Sequence, residues 1–154
     1  MLCSSAPSRC GEADAGRAIV RATPADRGVA VTKTKGQLEA EISDAIVRFE
    51  LDYMGRGPEE ARTYLIDDLV LVRLRGVLTP AERQLAGADG TPHGRELIKQ
   101  VRGELIEKAR PLLETIITDI TGQAVRSLHT DISTIMGERI IVFSLAGPVR
   151  LFTD

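Results

Sequence analysis

Residues 55–80 read GRGPEEARTYLIDDLVLVRLRGVLTP, and this segment contains two runs of strongly β-prone residues. The runs cover residues 61–66 and 69–74, and only Asp67 and Asp68 separate them. Aspartate tolerates left-handed backbone geometry and bonds nearby backbone amides, so an Asp-Asp pair is compatible with a tight turn. The segment therefore predicts a β-hairpin, which a glycine-containing break precedes and a second break at Thr79 and Pro80 follows.

Alternation along the second run places its side chains on two faces of a sheet. One face is wholly apolar and carries Val70, Val72 and Leu74. The other face is apolar at first and then basic, and it carries Leu69, Leu71, Arg73 and Arg75. The apolar face predicts the side of the sheet on which helices pack.

Apolar residues recur every three or four positions before the hairpin, which is typical of an amphipathic helix. This first helix is predicted to begin near Lys33 and to end at Gly55, a suitable left-handed C-cap, with Pro58 preventing its continuation. Its apolar stripe consists of Leu38, Ile42, Ala45, Ile46, Phe49 and Tyr53. After the hairpin, a short helix is predicted over residues 80–86, with Thr79 as its N-cap.

The longest helical pattern follows a glycine-containing break at residues 88–94 and ends at Gly122. Its predicted apolar stripe consists of Leu97, Ile98, Val101, Leu105, Ala109, Leu112, Ile116 and Ile120, widened by Leu113 and Ile117. Pro111 removes one helical hydrogen bond, so we expect a kink or a break that splits the helix. The stripe is wide for a helix that covers half of a small sheet, which favours a homodimer that buries the remainder.

A second β pair is predicted at residues 123–133 and 138–145, joined by a turn that contains Gly137. A helix followed by a hairpin thus occurs twice. This order predicts an α+β fold, in which two helix–hairpin units form one four-stranded antiparallel sheet with the helices packed on one face. We expect one domain over residues 32–148, a flexible N-terminal tail over residues 1–31 and a short C-terminal tail over residues 149–154.

The composition disfavours several classes of function. Of the 154 residues only 3% are aromatic and the formal net charge is -2, which argues against a nucleic-acid-binding surface. No apolar run reaches the length of a membrane span and no secretion signal is recognisable, so we expect a cytoplasmic protein without direct membrane insertion. Cys3 and Cys10 have no neighbouring histidine that would complete a zinc site.

Three segments resemble one family in their order and spacing: residues 55–85, residues 94–97 (GREL) and residues 128–139, from LHTDIS to GER. This is the MpsC-like family, formerly a domain of unknown function, which is named after a sodium-translocating, membrane-potential-generating system. The resemblance covers nearly all of residues 33–145. It implies a soluble protein associated with membrane partners that resemble bicarbonate or cation transport components, and it brings no established catalytic residues.

Two groups of side chains are candidate binding sites. Arg73 and Arg75 share a strand face that Arg62 can join from the paired strand, and clustered guanidinium groups bind anions. Alternatively, this face is solvated or protects a sheet edge, and its arginines pair with Glu59 or Glu60. Arg95 opens the long helix, where a helix N-terminus offers an anion site in principle, although an ordinary helix start explains it as well.

His129 and Asp131 form the second group, because residues two apart on a strand point the same way and a carboxylate can orient an imidazole. A polar strand face or a dimer contact is the alternative interpretation. No nucleophile–base pair, metal site or cofactor site is recognisable, so we expect no enzyme activity and no cofactor. The favoured function is an accessory or regulatory protein with a membrane transport partner. The alternatives are a small-ligand or anion sensor and a nucleic-acid-binding module.

Overall fold

The computed structural model describes residues 33–87 and 92–152, which form three helices and four strands. In chain order these are α1 (Lys35–Met54), β1 (Glu60–Ile66), β2 (Leu69–Arg75), α2 (Pro80–Gly87), α3 (Pro92–Thr121), β3 (Val125–Ser133) and β4 (Glu138–Leu145). The predicted order of elements is confirmed. The predicted tail over residues 1–31, with Cys3 and Cys10, and the break at residues 88–91 lie outside the described residues.

The ends of α1 follow from its local sequence. Thr34 Oγ1 accepts a hydrogen bond from the Gln37 amide at 3.3 Å, and the Gln37 side chain accepts one from the Thr34 amide at 2.9 Å. This capping box satisfies two amides that the first helical turn leaves without a partner. At the other end Gly55 adopts the left-handed conformation with φ 79°, which confirms the predicted C-cap.

The sheet places the two hairpins side by side in the strand order β1-β2-β4-β3, with antiparallel pairing throughout. Asp67 adopts a φ of 52° in the turn between β1 and β2, as the Asp-Asp pair predicts. The central strands β2 and β4 pair from Leu69 opposite Ser144 to Arg75 opposite Glu138. This arrangement confirms the predicted α+β fold with its four-stranded antiparallel sheet.

The core lies between the sheet and the two long helices. Val70, Val72 and Leu74 of β2 are fully buried, which confirms the predicted apolar face. From β4, Ile141 and Phe143 are fully buried on the same side. The helices contribute further fully buried side chains, namely Leu38, Ile42, Ile46, Ile106, Leu113 and Ile117. Burial of these apolar side chains is the main favourable contribution to folding.

The long helix α3 is continuous through Pro111, so a break at this position was the wrong alternative. Pro111 is exposed, and so is Glu107, the residue four positions earlier whose carbonyl loses its usual helical partner. Because that carbonyl lies on the solvent side, water can satisfy it, and the helix continues.

The predicted apolar stripe of α3 is confirmed in part, because Ile98, Ala109, Leu113 and Ile117 are buried while other members are exposed. Leu97, Val101 and Leu112 are 42%, 50% and 49% exposed. The buried side of the helix consists of Gly94, Ile98, Arg102, Ile106, Ala109, Leu113, Ile117 and Thr121. On this buried side Arg102 lies between Ile98 and Ile106. A pattern that counts only apolar residues therefore includes exposed residues from the adjacent side of the helix.

Residues after β4 also contact the rest of the domain. Val149 is buried in the hydrophobic core, and the Phe152 amide donates a hydrogen bond to the Lys33 carbonyl at 3.2 Å. None of the helices within residues 33–87 and 92–152 has the length and apolar character that crossing a bilayer requires.

Candidate functional site

Both long helices pack on one side of the sheet, and we call the other side the open face. On it the register aligns Arg62, Arg73, Ile140 and Asp131 in one row, and Tyr64, Leu71, Val142 and His129 in the next. Tyr64 and Ile66 are 39% and 50% exposed, in contrast to the fully buried residues beneath them. The open face therefore has an apolar middle, a basic end and a polar edge.

The basic end brings together three arginines that the sequence singled out. Arg62 lies directly opposite Arg73, and Arg75 follows on the same side of β2. Like charges directly opposite each other destabilise a sheet unless counter-charges are near. Two carboxylates provide them: Glu60 contacts Arg62 at 2.6 Å and Arg75 at 3.2 Å, and Glu138 contacts Arg73 at 2.7 Å.

These contacts lower the pKa values of both carboxyl groups. A hydrogen bond from Arg62 holds the pKa of Glu60 below its ordinary value, and a hydrogen bond from Arg73 does the same for Glu138. Part of the alternative interpretation is thus correct, because Glu60 does pair with the arginines of this face. Three arginines nevertheless face two carboxylates, so the group retains a formal charge of about +1 by simple counting.

A cavity of about 810 Å³ lies beside this basic end, and we call it the arginine cavity. The end of β2, one side of α2, the first turn of α3 and the turn between β3 and β4 surround it. Four arginines, two glutamates and several apolar side chains line it: Arg73, Arg75, Arg83, Arg95, Glu59, Glu138, Leu78, Ala86, Ile135 and Met136. Three of the six predicted binding residues therefore meet here, while Arg62 lies just outside in a smaller adjoining recess.

Arg95 reaches the cavity because α2 and α3 approach each other very closely. A Cβ atom at Gly94 would lie 2.3 Å from the Leu85 carbonyl oxygen, so only glycine permits this backbone contact. Arg95 Nε then donates a hydrogen bond to the Ala86 carbonyl oxygen at 3.2 Å, near the C-terminal end of α2. The guanidinium group is held at the cavity wall rather than at a helix N-terminal anion site.

Arg83 is a fourth arginine of the cavity that the sequence analysis missed. Its Nε and Nη2 donate hydrogen bonds to the Leu78 carbonyl oxygen at 3.3 and 3.2 Å, and Nη2 lies 3.5 Å from a Glu59 carboxylate oxygen. Arg83 belongs to a short helix without a motif. Only the path of the chain from β2 into α2 brings it next to Arg75, so no sequence pattern indicated it.

His129 and Asp131 lie on the open face as predicted, but at the opposite edge from the arginines. Asp131 contacts Lys99 of α3 at 3.5 Å and is strongly exposed, and it forms no hydrogen bond with His129 within the described residues. In the same part of the chain, no three His, Cys, Asp or Glu side chains lie close enough together to hold a metal ion. The pair lies outside the arginine cavity.

Two ion pairs with a buried arginine lie on the helix side of the sheet, and neither was predicted. Arg139 of β4 and Glu50 of α1 are both 1% exposed and contact each other at 3.4 Å. Arg139 Nε is buried without a hydrogen-bond partner within the described residues. Burial raises the pKa of the Glu50 carboxyl although Arg139 and Arg102 oppose the shift, and burial lowers the pKa of Arg139. The pair therefore compensates incompletely for the loss of hydration.

The second pair attaches α2 to α3. Arg102 donates hydrogen bonds to both carboxylate oxygens of Glu82, at 2.8 and 2.7 Å, and to the Val77 carbonyl oxygen at 2.8 Å. Desolvation acts to raise the pKa of Glu82, but the hydrogen bonds from Arg102 and Thr79 outweigh it, so this pKa is lowered. This bidentate geometry fixes the helix that carries Arg83.

A signal for these pairs is present in the sequence. Glu50 continues the series Leu38, Ile42, Ile46 at a spacing of four, and Arg102 lies midway between Ile98 and Ile106. Arg139 alternates in the same way with Ile141 and Phe143. A charged residue on the apolar face of an amphipathic helix or strand indicates a buried ion pair rather than a surface charge.

Comparisons with known proteins identify one family and two relatives. A family model described as "Na+-translocating membrane potential-generating system (MpsC)" matches residues 34–147. The chain is 45% identical over 118 residues to uncharacterized protein YbcI of Bacillus subtilis, covering 77% of this chain and 93% of the relative. It is 31% identical over 67 residues to uncharacterized protein YrhF of the same organism, covering 44% and 52%. No solved structure matches the chain significantly.

Proposed function

Because the chain belongs to the MpsC family, whose description names a Na+-translocating, membrane-potential-generating system, we propose that it is a non-enzymatic accessory or regulatory protein of such a system. It acts from the cytoplasm, by contact with a membrane transport protein. The family description links the chain to a membrane system, and the open face supplies a surface suited to protein contact.

The open face is the observation that supports this role. Its middle consists of apolar and aromatic side chains, with Tyr64, Leu71 and Val142 in one row. Arg62 and Arg73 lie in the next row. Protein interfaces combine an apolar centre with enriched tyrosine and arginine, and such residues contribute most of the binding energy. The matching partner surface is an apolar segment flanked by carboxylates, presented by a transport protein on its cytoplasmic side.

Affinity capture from detergent-solubilised membranes tests this role. The full chain with Leu71→Glu places a charge in the middle of the open face, and Leu51→Glu places the same charge on an exposed leucine of α1. We expect the unaltered chain and the Leu51→Glu variant to recover the same ion-transport protein, and the Leu71→Glu variant to lose it. Equal recovery by all three, or no transport protein in any of them, would contradict the proposal.

We also propose a homodimer, through the exposed groove between α1 and α3. Tyr53 and Leu112 line this groove together with Arg48 and Asp52, and Leu112 is 49% exposed. In a two-fold interface each Arg48 faces the Asp52 of the other copy, so one groove is complementary to itself. Light scattering after size exclusion should give twice the mass of one chain for the unaltered protein. The Leu112→Arg variant should give the mass of a single chain. A monomer for the unaltered chain would rule out this arrangement.

A further inference from the structure

The arginine cavity is an open recess with the volume of a small-molecule site and a lining of charged and apolar side chains. Its volume of about 810 Å³ lies within the range of roughly 300 to 1,000 Å³ that is typical of ligand pockets. Several separate parts of the described chain form its walls, and two of them are held by contacts of their own. α2 is held by the Glu82–Arg102 pair, and the turn between β3 and β4 is held by a hydrogen bond from the Val77 amide to the Gly137 carbonyl oxygen at 3.1 Å. The cavity is therefore a preformed concavity.

The charges of the lining favour an anion. Among the described lining residues four arginines face two glutamates, and Glu60 beside the cavity pairs with Arg75 at 3.2 Å, which leaves a formal excess of about +1 by simple counting. Arg73 pairs with Glu138 at 2.7 Å, whereas Arg83 lies 3.5 Å from a carboxylate oxygen of Glu59, which also contacts Arg56. The terminal nitrogens of Arg95 form no hydrogen bond to the residues that the structure describes. Arg83 and Arg95 are thus the guanidinium groups with donors to offer.

The apolar lining favours an organic anion over an inorganic one. Ile135 and Met136, on the turn between β3 and β4, are 78% and 76% exposed at the rim, and Leu78 lies behind them. Large exposed apolar side chains next to a basic cluster provide contact area for the carbon skeleton of a ligand, which a free phosphate would leave unused. Guanidinium groups bind phosphate oxygens in a bidentate manner, and arginine is the residue best suited to this geometry.

We propose that the arginine cavity binds an organic phosphate of nucleotide size, with its phosphates at Arg83 and Arg95 and its planar or apolar part against Ile135 and Met136. Such binding makes the chain a ligand sensor in addition to a partner of a membrane protein. Leu71 does not line the cavity. Loss of membrane-partner contact in the Leu71→Glu variant would therefore leave ligand binding unchanged, and the two proposals can fail separately.

Calorimetric titration of the full chain with ATP, ADP and pyrophosphate at 150 mM salt, a concentration of roughly physiological ionic strength, tests the proposal. The Arg83→Gln variant removes a charge from the cavity, and Arg110→Gln removes one from the exposed side of α3, where Arg110 pairs with Glu107. We expect both nucleotides to bind, and the Arg83→Gln variant to weaken binding about tenfold or more, as the loss of a charge-assisted hydrogen bond predicts. The Arg110→Gln variant should bind as the unaltered chain does.

A third variant separates the apolar wall from the basic one. Met136→Ser should weaken the binding of ATP and ADP and leave pyrophosphate binding unchanged. The proposal is overturned if no probe binds, if Arg83→Gln and Arg110→Gln have equal effects, or if pyrophosphate binds as tightly as ATP. Thermal melts of each variant confirm that a loss of binding is not a loss of folding.

Discussion

The buried pair of Glu50 and Arg139 leads to the sharpest prediction on stability. Both side chains are 1% exposed, and one contact of 3.4 Å joins them. The Arg139→Leu variant leaves the Glu50 carboxylate buried without this partner, and removing one member of a buried pair typically costs about 3–5 kcal/mol. We expect a loss of about 3 kcal/mol, at the low end of that range, because the Glu50–Arg139 contact is long and Arg102 still attracts the Glu50 charge.

The double variant Glu50→Leu with Arg139→Leu should lose far less stability than either Glu50→Leu or Arg139→Leu alone. Arg139 Nε already lacks a hydrogen-bond partner within the described residues, so the native pair is incompletely satisfied. Replacing both charges with apolar groups of similar volume is often neutral or stabilising by about 1–4 kcal/mol. Urea unfolding of the four proteins, with their m-values compared, measures the difference. Additive losses, with the double variant the least stable, would refute the account of this pair.

Two further predictions concern the α2–α3 corner. Gly94→Ala should destabilise the chain by about 1–3 kcal/mol, because its new Cβ atom would lie 2.3 Å from the Leu85 carbonyl oxygen. The control Gly103→Ala lies in open space on the same helix and should stabilise the chain by about 0.5–1 kcal/mol. The urea unfolding midpoints of both variants test this, and equal shifts would contradict the close contact at Gly94. The lowered pKa of Glu82 means that its pairing with Arg102 contributes stability above its ordinary pKa of 4.5, and that this contribution is lost as the pH falls through the lowered folded-state value. The Glu82→Gln variant should therefore lose less stability than the unaltered chain as the pH falls below 4.5. Parallel acid curves for the two proteins would exclude this role.

Much of the fold was predictable because its signals are local. The alternation of Val70, Val72 and Leu74 identified the buried side of β2, and the glycine at position 55 identified the end of α1. These features depend on residues close to each other in the chain. The same reasoning placed Arg62, Arg73 and Arg75 on one face, because hairpin register follows from a short turn.

The rest depends on contacts between distant segments. The arginine cavity forms where residues near 75, 83, 95 and 136 meet, and no periodicity in the sequence encodes that meeting. Part of the predicted α3 stripe is exposed, because the buried face includes Arg102, whose charge Glu82 from another helix neutralises. A buried charge can be recognised because it lies on the apolar face of its helix or strand, but its partner is identified only by the tertiary structure.

The central proposal is that the chain supports a Na+-translocating, membrane-potential-generating system through its open face. The most direct test is the Na+-dependent membrane potential of cells that lack this chain, complemented in turn with the unaltered chain, the Leu51→Glu variant and the Leu71→Glu variant. We expect the potential to fall without the chain and to be restored by the first two and not by the third. Full restoration by the Leu71→Glu variant, or an unchanged potential in the absence of the chain, would contradict the proposal.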